Sequence, residues 1–401
     1  MMRLLIVNVH FDPESFGGAT IVAEETASHL AADGHEVFVM TGITEPRLAH
    51  GEFHRYEARS LPVVALGRSA PHSPDQDYHQ PDLADRMRDV LTRIRPDLVH
   101  FHAIQGLGVE MVEATQQAGI PTVVTLHDAW WFCERQFMVR ASGRWCGQTA
   151  IDARVCATCV RDAVAHEQRQ QRSAHILNQC AKVLTPSDYW ASVMAGSGVR
   201  EDLLQVNRNG VHHPAPEFRR TAHEGAVRFG YVGGDTPIKG VRQVRDALAQ
   251  LRRSDYELSV VDAFLNLGIQ TLHARDWQYP GLVRIVPGYT HDRLDHFFDS
   301  IDVLLFPSQW RESYGLTVRE AVLRGVWVIA TDGGGIMDDL TDGVNATIIG
   351  MDDAAALREA MSAIMDRPGD FRNRARPVRT IPTFADQAAE LSRIYASAAG
   401  T

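Results

Sequence analysis

The chain of 401 residues contains no apolar run approaching the roughly 20 residues that a bilayer-spanning helix needs. It carries no basic excess either. Fifty acidic side chains against 40 basic ones leave a formal net charge of −10, so the electrostatic footprint of a nucleic-acid binder is missing. Low-complexity tracts and internal repeats are absent, and cysteine is scarce, at five residues. The N-terminal Met-Met-Arg followed by Leu4 to Val9 has the look of a secretory leader. Its apolar core is too short, though, and it runs into His10, Asp12 and Glu14 without a small-residue cleavage site, so it reads as a buried strand. These absences point to a globular, cytoplasmic protein. Its length exceeds one ordinary core and implies two domains.

What is present is a pattern of strand, glycine turn, helix and strand, which implies parallel sheets. Leu4 to Val9, Gly17-Gly18, a helix from Thr20 to Ala32 and a strand Glu36 to Met40 form the first such unit. Strands follow at Pro62 to Leu66, Leu98 to His102 and Thr122 to Leu126, with the polar stretch Ser69 to Pro81 read as a mobile loop. On the helix Leu83 to Ile94, Arg86, Arg88 and Arg93 alternate with Asp85 and Asp89. That is the pattern of a solvated face, which limits any membrane contact to a peripheral one. The pattern restarts at Val227 to Val232, followed by Gly233-Gly234 and Lys239-Gly240 opening a helix. A lysine at the mouth of a glycine loop is suited to neutralising phosphate.

The richest stretch runs from Leu305 to Gly335. A strand ends at Phe306, a loop carries Trp310, Arg311 and Glu312, and Gly315 opens a helix bearing Glu320, two turns in by this reading. A second strand then empties into Gly333-Gly334-Gly335. Free amides from Tyr314 through Gly315 and Leu316 to Thr317 make a phosphate site, and carboxylates nearby accept hydrogen bonds from sugar hydroxyls.

Glu312-Ser-Tyr-Gly-Leu-Thr-Val-Arg-Glu320 closely resembles the two-glutamate signature of retaining nucleotide-sugar glycosyltransferases of the GT-B fold, family 4. The resemblance implies two Rossmann-like, doubly wound parallel-sheet domains facing across a cleft. It places an acceptor domain at 1–213, a nucleotide-sugar domain at 226–381, and a C-terminal helix at 382–401 crossing back. It also implies that Glu320 binds the ribose hydroxyls, Glu312 the sugar hydroxyls, and Lys239 the leaving diphosphate, with no metal or other cofactor in catalysis. His127, in the His-Asp pair after the third of these strands, would face the donor sugar. Gly17 and Gly18 would let their loop approach the donor, and Gly288 would approach the base. Two departures stand out: Gly234 occupies a place where the family usually has arginine, and Gly335 to Asp339 lacks the usual Pro-Glu. Arg242, Arg245 and Arg311 are the candidates to replace the lost cation.

Cys133, Cys146, Cys156 and Cys159 fall within 27 residues, ending in Cys-x-x-Cys. In a reducing compartment this reads as a tetrahedral structural zinc site, with an iron–sulfur cluster or plain thiols and disulfides as alternatives. Trp130, Trp131 and Phe132 beside it are either acceptor contacts or core. The expected activity is transfer of a sugar from a nucleotide donor to a hydroxyl of a polysaccharide, lipid-linked or small-molecule acceptor. A sugar-nucleotide epimerase, a phosphorylase-like enzyme and a non-catalytic scaffold are the alternatives.

Overall fold

The computed structural model describes residues 1–70 and 73–400. The chain forms two compact units, one of residues 1–138, 147–210 and 382–400, the other of 139–146 and 211–381.

The first unit is built on an eight-stranded sheet. Its strands are β1 (Arg3–Val7), β2 (Glu36–Thr44), β3 (Phe53–Ala58), β4 (Leu61–Arg68), β5 (Leu98–Phe101), β6 (Thr122–Thr125), β7 (Lys182–Thr185) and β8 (Leu204–Val206). They lie in the order β3-β4-β2-β1-β5-β6-β7-β8. Every pair is parallel except β3 with β4, so the expectation of a purely parallel sheet is corrected at this edge. Sequence reasoning missed β3 altogether. Its hairpin turns on Arg59 and Ser60, both at positive φ (53° and 58°), where a Gly or Asn signal would normally announce the turn. Arg59 is held there by Glu25 and by Ser28 Oγ at 3.0 Å.

The core of this unit gathers Leu4, Ile6, Val37, Val39, Leu98, Val123 and Leu184 from the strands. The last helix, Phe384–Ala399, adds Ala388, Leu391, Ile394 and Tyr395. It starts with a capping box in which Thr383 and Asp386 satisfy each other's backbone amides. The stretch Ser69 to Pro81, expected to be a mobile loop, instead contains the helix Pro74–Tyr78, capped by Ser73. Its Tyr78 is fully buried and donates toward Ser173, so the stretch packs; Pro71 and His72 lie outside the described residues.

The second unit contains β9 (Val227–Tyr231), β10 (Tyr256–Asp262), β11 (Leu282–Pro287), β12 (Val303–Phe306), β13 (Trp327–Thr331) and β14 (Ala346–Ile349). All pairs are parallel, in the order β11-β10-β9-β12-β13-β14. The order reverses between β9 and β12, and ligands of open α/β sheets bind beyond the carboxyl ends of strands at such a point. Near-continuous apolar strands such as Val303-Leu304-Leu305-Phe306 suit a sheet covered on both faces.

Candidate active site

In the second unit, the loops leaving β9 and β12 meet at the reversal point. Lys239 Nζ donates to Glu312 Oε1 at 2.8 Å, and Ser308 Oγ donates to the same oxygen at 2.8 Å. Glu312 is buried and Lys239 is one-third exposed, its ammonium lying 5.7 Å and 5.9 Å from the ring centres of Phe306 and Trp310. The two loops are stitched together by backbone. Gln309 N donates to Ile238 O at 2.7 Å, and Gly335 N donates to Glu312 O at 2.7 Å. Gly240 has to be glycine: its φ is +83°, and a Cβ would stand 1.9 Å from Pro307 O.

Gly315 caps the helix Leu316–Leu323 with no side chain closing its amide end. It too has φ +83°, and a Cβ there would meet Ile336 Cγ2 at 2.6 Å. Gly315, Leu316 and Thr317 are partly exposed, whereas Tyr314 is buried with Val211 and Ile381. Glu320 is the fifth residue of this helix, one turn in rather than the two expected. Its carboxyl is buried, and desolvation pushes its pKa up to about 7 against the pull of Arg324. Arg324 is itself committed to Asp295 at 2.6 Å and to the His212 carbonyl at 3.0 Å.

Sequence reasoning missed Arg319. It is fully buried, lies 3.5 Å from the Tyr314 ring, and donates to the carbonyls of Tyr314 and of Gly335 (2.8 Å). It pairs with Asp339 at 2.5 Å, and Asp339 also takes Arg379 at 2.6 Å. This one guanidinium therefore ties the amide end of the helix to the glycine turn. An arginine between the apolar Val318 and the Glu320 position was the only sequence signal. Asp339 stands within the turn that lacks the usual Pro-Glu, and its task here is to hold Arg319.

Gly234 is at φ +55°, with open space where a Cβ would be. Of the candidate replacement cations, Arg245 is paired with Asp235 at 3.3 Å and lies over Trp277, Arg311 lies over Trp145 at 4.4 Å, and Arg242 is exposed. Gly288 accepts from Asn266 Nδ2 at 3.0 Å through its carbonyl, just past β11. The loop after β10 is fixed by Asp262, which accepts from the amides of Phe264, Thr271 and Leu272 at 2.8–3.2 Å. Together with the Thr271 hydroxyl, which donates at 2.7 Å, these amide bonds outweigh the desolvation of Asp262 and hold its carboxyl below the usual range.

In the first unit, His127 stands at the end of β6, half-buried. Its Nε2 lies 2.9 Å from His102 Nδ1, and the two rings stack at 5.2 Å. His100, two residues before His102, meets Tyr395 Oη at 2.6 Å and Thr125 Oγ1 at 2.7 Å. Burial drives all three imidazoles toward the neutral form: His127 down to about 4, His100 to about 3, His102 well below its ordinary value. Asp128 beside them is pushed up to about 6 by burial, although Gln136 and the Trp130 amide donate to it. Gly17, at φ +83°, opens the helix Gly18–Ala32.

The zinc reading is not supported. Among the described residues, no group of three or more histidine, cysteine or acidic side chains could hold a metal ion. Cys156 is buried with amide nitrogens of Gln148 and Gln170 at 3.6 and 3.8 Å, while Cys133, Cys146 and Cys159 are partly exposed. Clustering along the chain did not become convergence in space. Trp130, Trp131 and Phe132 are core, at 3%, 3% and 0% exposure, with Arg169 lying over Trp130.

Two Rossmann-like sheet units of this kind are the GT-B fold, and similar solved structures bear this out. Sucrose-phosphate synthase from Thermosynechococcus elongatus superposes with a TM-score of 0.71 at 17% identity, covering 98% of both chains. Anabaena Alr3699/HepE in complex with UDP-glucose gives 0.63 at 15% identity, covering 98% of this chain and 96% of that one. In sequence, residues 16–213 match Glycosyltransferase Family 4 and residues 216–378 match Glycosyl transferases group 1. The glycogen synthase of Mycobacterium tuberculosis is 24% identical over 94% of this chain and 89% of its own length. The chain belongs to the GT-B glycosyltransferases of the family 4 type.

Proposed function

We propose that the protein is a retaining glycosyltransferase that moves a sugar from a nucleoside diphosphate sugar to an acceptor hydroxyl, without a catalytic metal. The observation that carries this reading is the Lys239–Glu312 pair, at 2.8 Å, at the strand-order reversal and beside the uncapped helix end at Gly315. Donor binding is assigned to residues 226–381, acceptor binding to residues 1–213, and 382–401 to the first domain. A UDP-glucose complex of a structural relative supports the donor class.

As the C–O bond to the diphosphate breaks, negative charge grows on the leaving phosphate. Lys239 and the amides of Gly315, Leu316 and Thr317 are the fixed donors that stabilise it. Glu312 accepts from hydroxyls of the transferring sugar. Glu320, a buried carboxyl beside the helix end, is suited to the paired hydroxyls of a ribose. Gly234 and Gly288 let backbone approach the diphosphate and the base. His127 orients the sugar, as the resemblance implies, and stays neutral in doing so. The acceptor hydroxyl attacks on the face the phosphate leaves, and its proton passes to that phosphate, which preserves the anomeric configuration. The cytoplasm is the compartment this reading requires, since nucleotide sugars are supplied there.

The test is thermal unfolding with UDP, GDP, dTDP and ADP, without metal, on wild type and Lys239→Ala. At about 100 Kd a ligand adds roughly 2.7 kcal/mol to the native state. One nucleotide should raise the melting temperature of the wild type and far less that of the variant. No shift from any of the four would overturn the donor site and favour the scaffold reading.

A further inference from the structure

Resting on the assignment of acceptor binding to the first unit, we propose that the acceptor carries an anionic group, a phosphate or a carboxylate, and that Arg68 binds it. Arg68 ends β4 and is 8% exposed, and its buried Nε has no hydrogen-bond partner among the described residues. A buried guanidinium N–H without a partner is costly, and buried cations in folded proteins are nearly always paired. The acids close enough to be felt by it, Asp77 and Glu14, are engaged elsewhere: Asp77 accepts from the Trp130 indole, and both Glu14 oxygens accept from Arg47.

The place is built for a ligand. The Arg68 side chain threads between two glycines. A Cβ on Gly42 would stand 2.9 Å from its Nε, and one on Gly106 would stand 2.6 Å from its Nη1. Gly42 N donates to Val9 O at 3.2 Å and Val9 N to Ala103 O at 2.7 Å, so the ends of β1, β2 and β5 converge here. This is the carboxyl edge of the sheet, where its strand order reverses between β1 and β5. Three more buried polar atoms on this edge also have no hydrogen-bond partner among the described residues: Thr41 Oγ1, His102 Nε2 and Gln105 Oε1. Buried polar atoms are rarely left so, and four on one edge mark a polar ligand rather than an apolar one. His10 faces the same cation and is held neutral by burial and by Arg68, so it offers a donor or an acceptor but no competing charge. A cavity of about 280 Å³ opens beside Gly42, lined by Phe11, Pro13, Thr41, Ile43, His54 and Tyr56 and bounded by Glu14. It has room for the rest of a sugar-sized acceptor. Arg68 is assigned here as the residue that selects a charged acceptor over a neutral one.

The test compares glucose 6-phosphate, glucuronate and glucose as probes, by calorimetric titration of wild type, Arg68→Gln and Arg68→Lys. At least one charged probe should bind wild type ten-fold or more tightly than glucose, and the one that does identifies phosphate or carboxylate. Arg68→Gln should erase that preference, and Arg68→Lys should keep part of it. Nucleotide binding, which reports on Lys239, should be unchanged in both variants. Equal binding of all three probes to wild type, or an unchanged preference in Arg68→Gln, overturns the proposal even where nucleotide binding stands. Should Arg68→Gln not fold, the wild type still decides: glucose 6-phosphate or glucuronate must shift the amide resonances of Gly42 and Gly106, and a silent response overturns it.

Discussion

The two sheets end in opposite kinds of chemistry. Beyond the strands of the second unit, four buried charges are matched: Glu312 with Lys239, Arg319 with Asp339, Arg324 with Asp295, and Asp262 with three amides. Beyond the strands of the first, the dominant groups are neutral imidazoles and buried polar atoms without partners. The difference teaches how each edge is held ready. A matched set keeps its geometry with no ligand bound, which suits stabilisation of a developing phosphate charge, since fixed dipoles need no reorganisation. An unmatched set draws its partners from what it binds, which suits selection, because the wrong ligand leaves a polar group desolvated and unpaired.

The sharpest way to break this comparison is Arg319→Met. Removing one partner of a buried pair costs about 3–5 kcal/mol, and here it also releases the Tyr314 and Gly335 carbonyls. Urea unfolding followed in the second unit should show that loss, and Arg319→Lys should not restore it, because a single ammonium cannot span those carbonyls. Next in size, Lys239→Ala should lower turnover by about 10²–10³-fold, the loss typical of one fixed donor to a transition-state oxyanion. Steady-state transfer measures it.

Glu320 in the second unit and the buried imidazoles of the first should also respond oppositely to pH. For Glu320, the native carboxyl keeps its proton up to about 7, while the unfolded one releases it near its ordinary value of 4.5. The unfolded chain then holds fewer protons, so this group's contribution to stability declines as pH rises between those values. For His100 and His127 the native imidazoles stay neutral down to about 3 and 4, while unfolded ones protonate below 6.5. There the unfolded chain holds more protons, so stability declines as pH falls below 6.5. Unfolding at pH 5 and pH 8, compared with Glu320→Gln and His127→Gln, should show slopes of opposite sign flattened in each variant. The same Glu320→Gln change should remove a rise in nucleotide affinity between pH 6 and 8, because ribose hydroxyls favour the carboxylate. The smallest effect is Tyr395→Phe, which deletes the 2.6 Å contact to His100. It should cost about 1 kcal/mol, the net worth of a hydrogen bond, seen as an earlier urea midpoint of the first unit.

The sequence by itself determined the alternation of strands and helices and the spacing of Glu312 and Glu320 around the glycine that opens their helix; that Lys239 meets Glu312 was decided by the fold. Both are local statements: apolar runs, glycine turns and a short spacing between two glutamates survive being read one after another. The C-terminal helix expected within 382–401 is found at Phe384–Ala399, and the strand expected to end at Phe306 does so, because an unbroken apolar run defines it. Only the tertiary structure decided the rest. The edge strand β3 is mostly exposed and its turn lacks the usual residues, so its pairing with β4 is what makes it a strand. The four clustered cysteines show the converse, neighbours in sequence that the fold does not gather into a metal site. Arg319 and Arg68 are ordinary arginines until the fold supplies buried partners to the first and leaves the buried Nε of the second without one. Burial and pairing depend on segments far apart in the chain, and no local pattern encodes them.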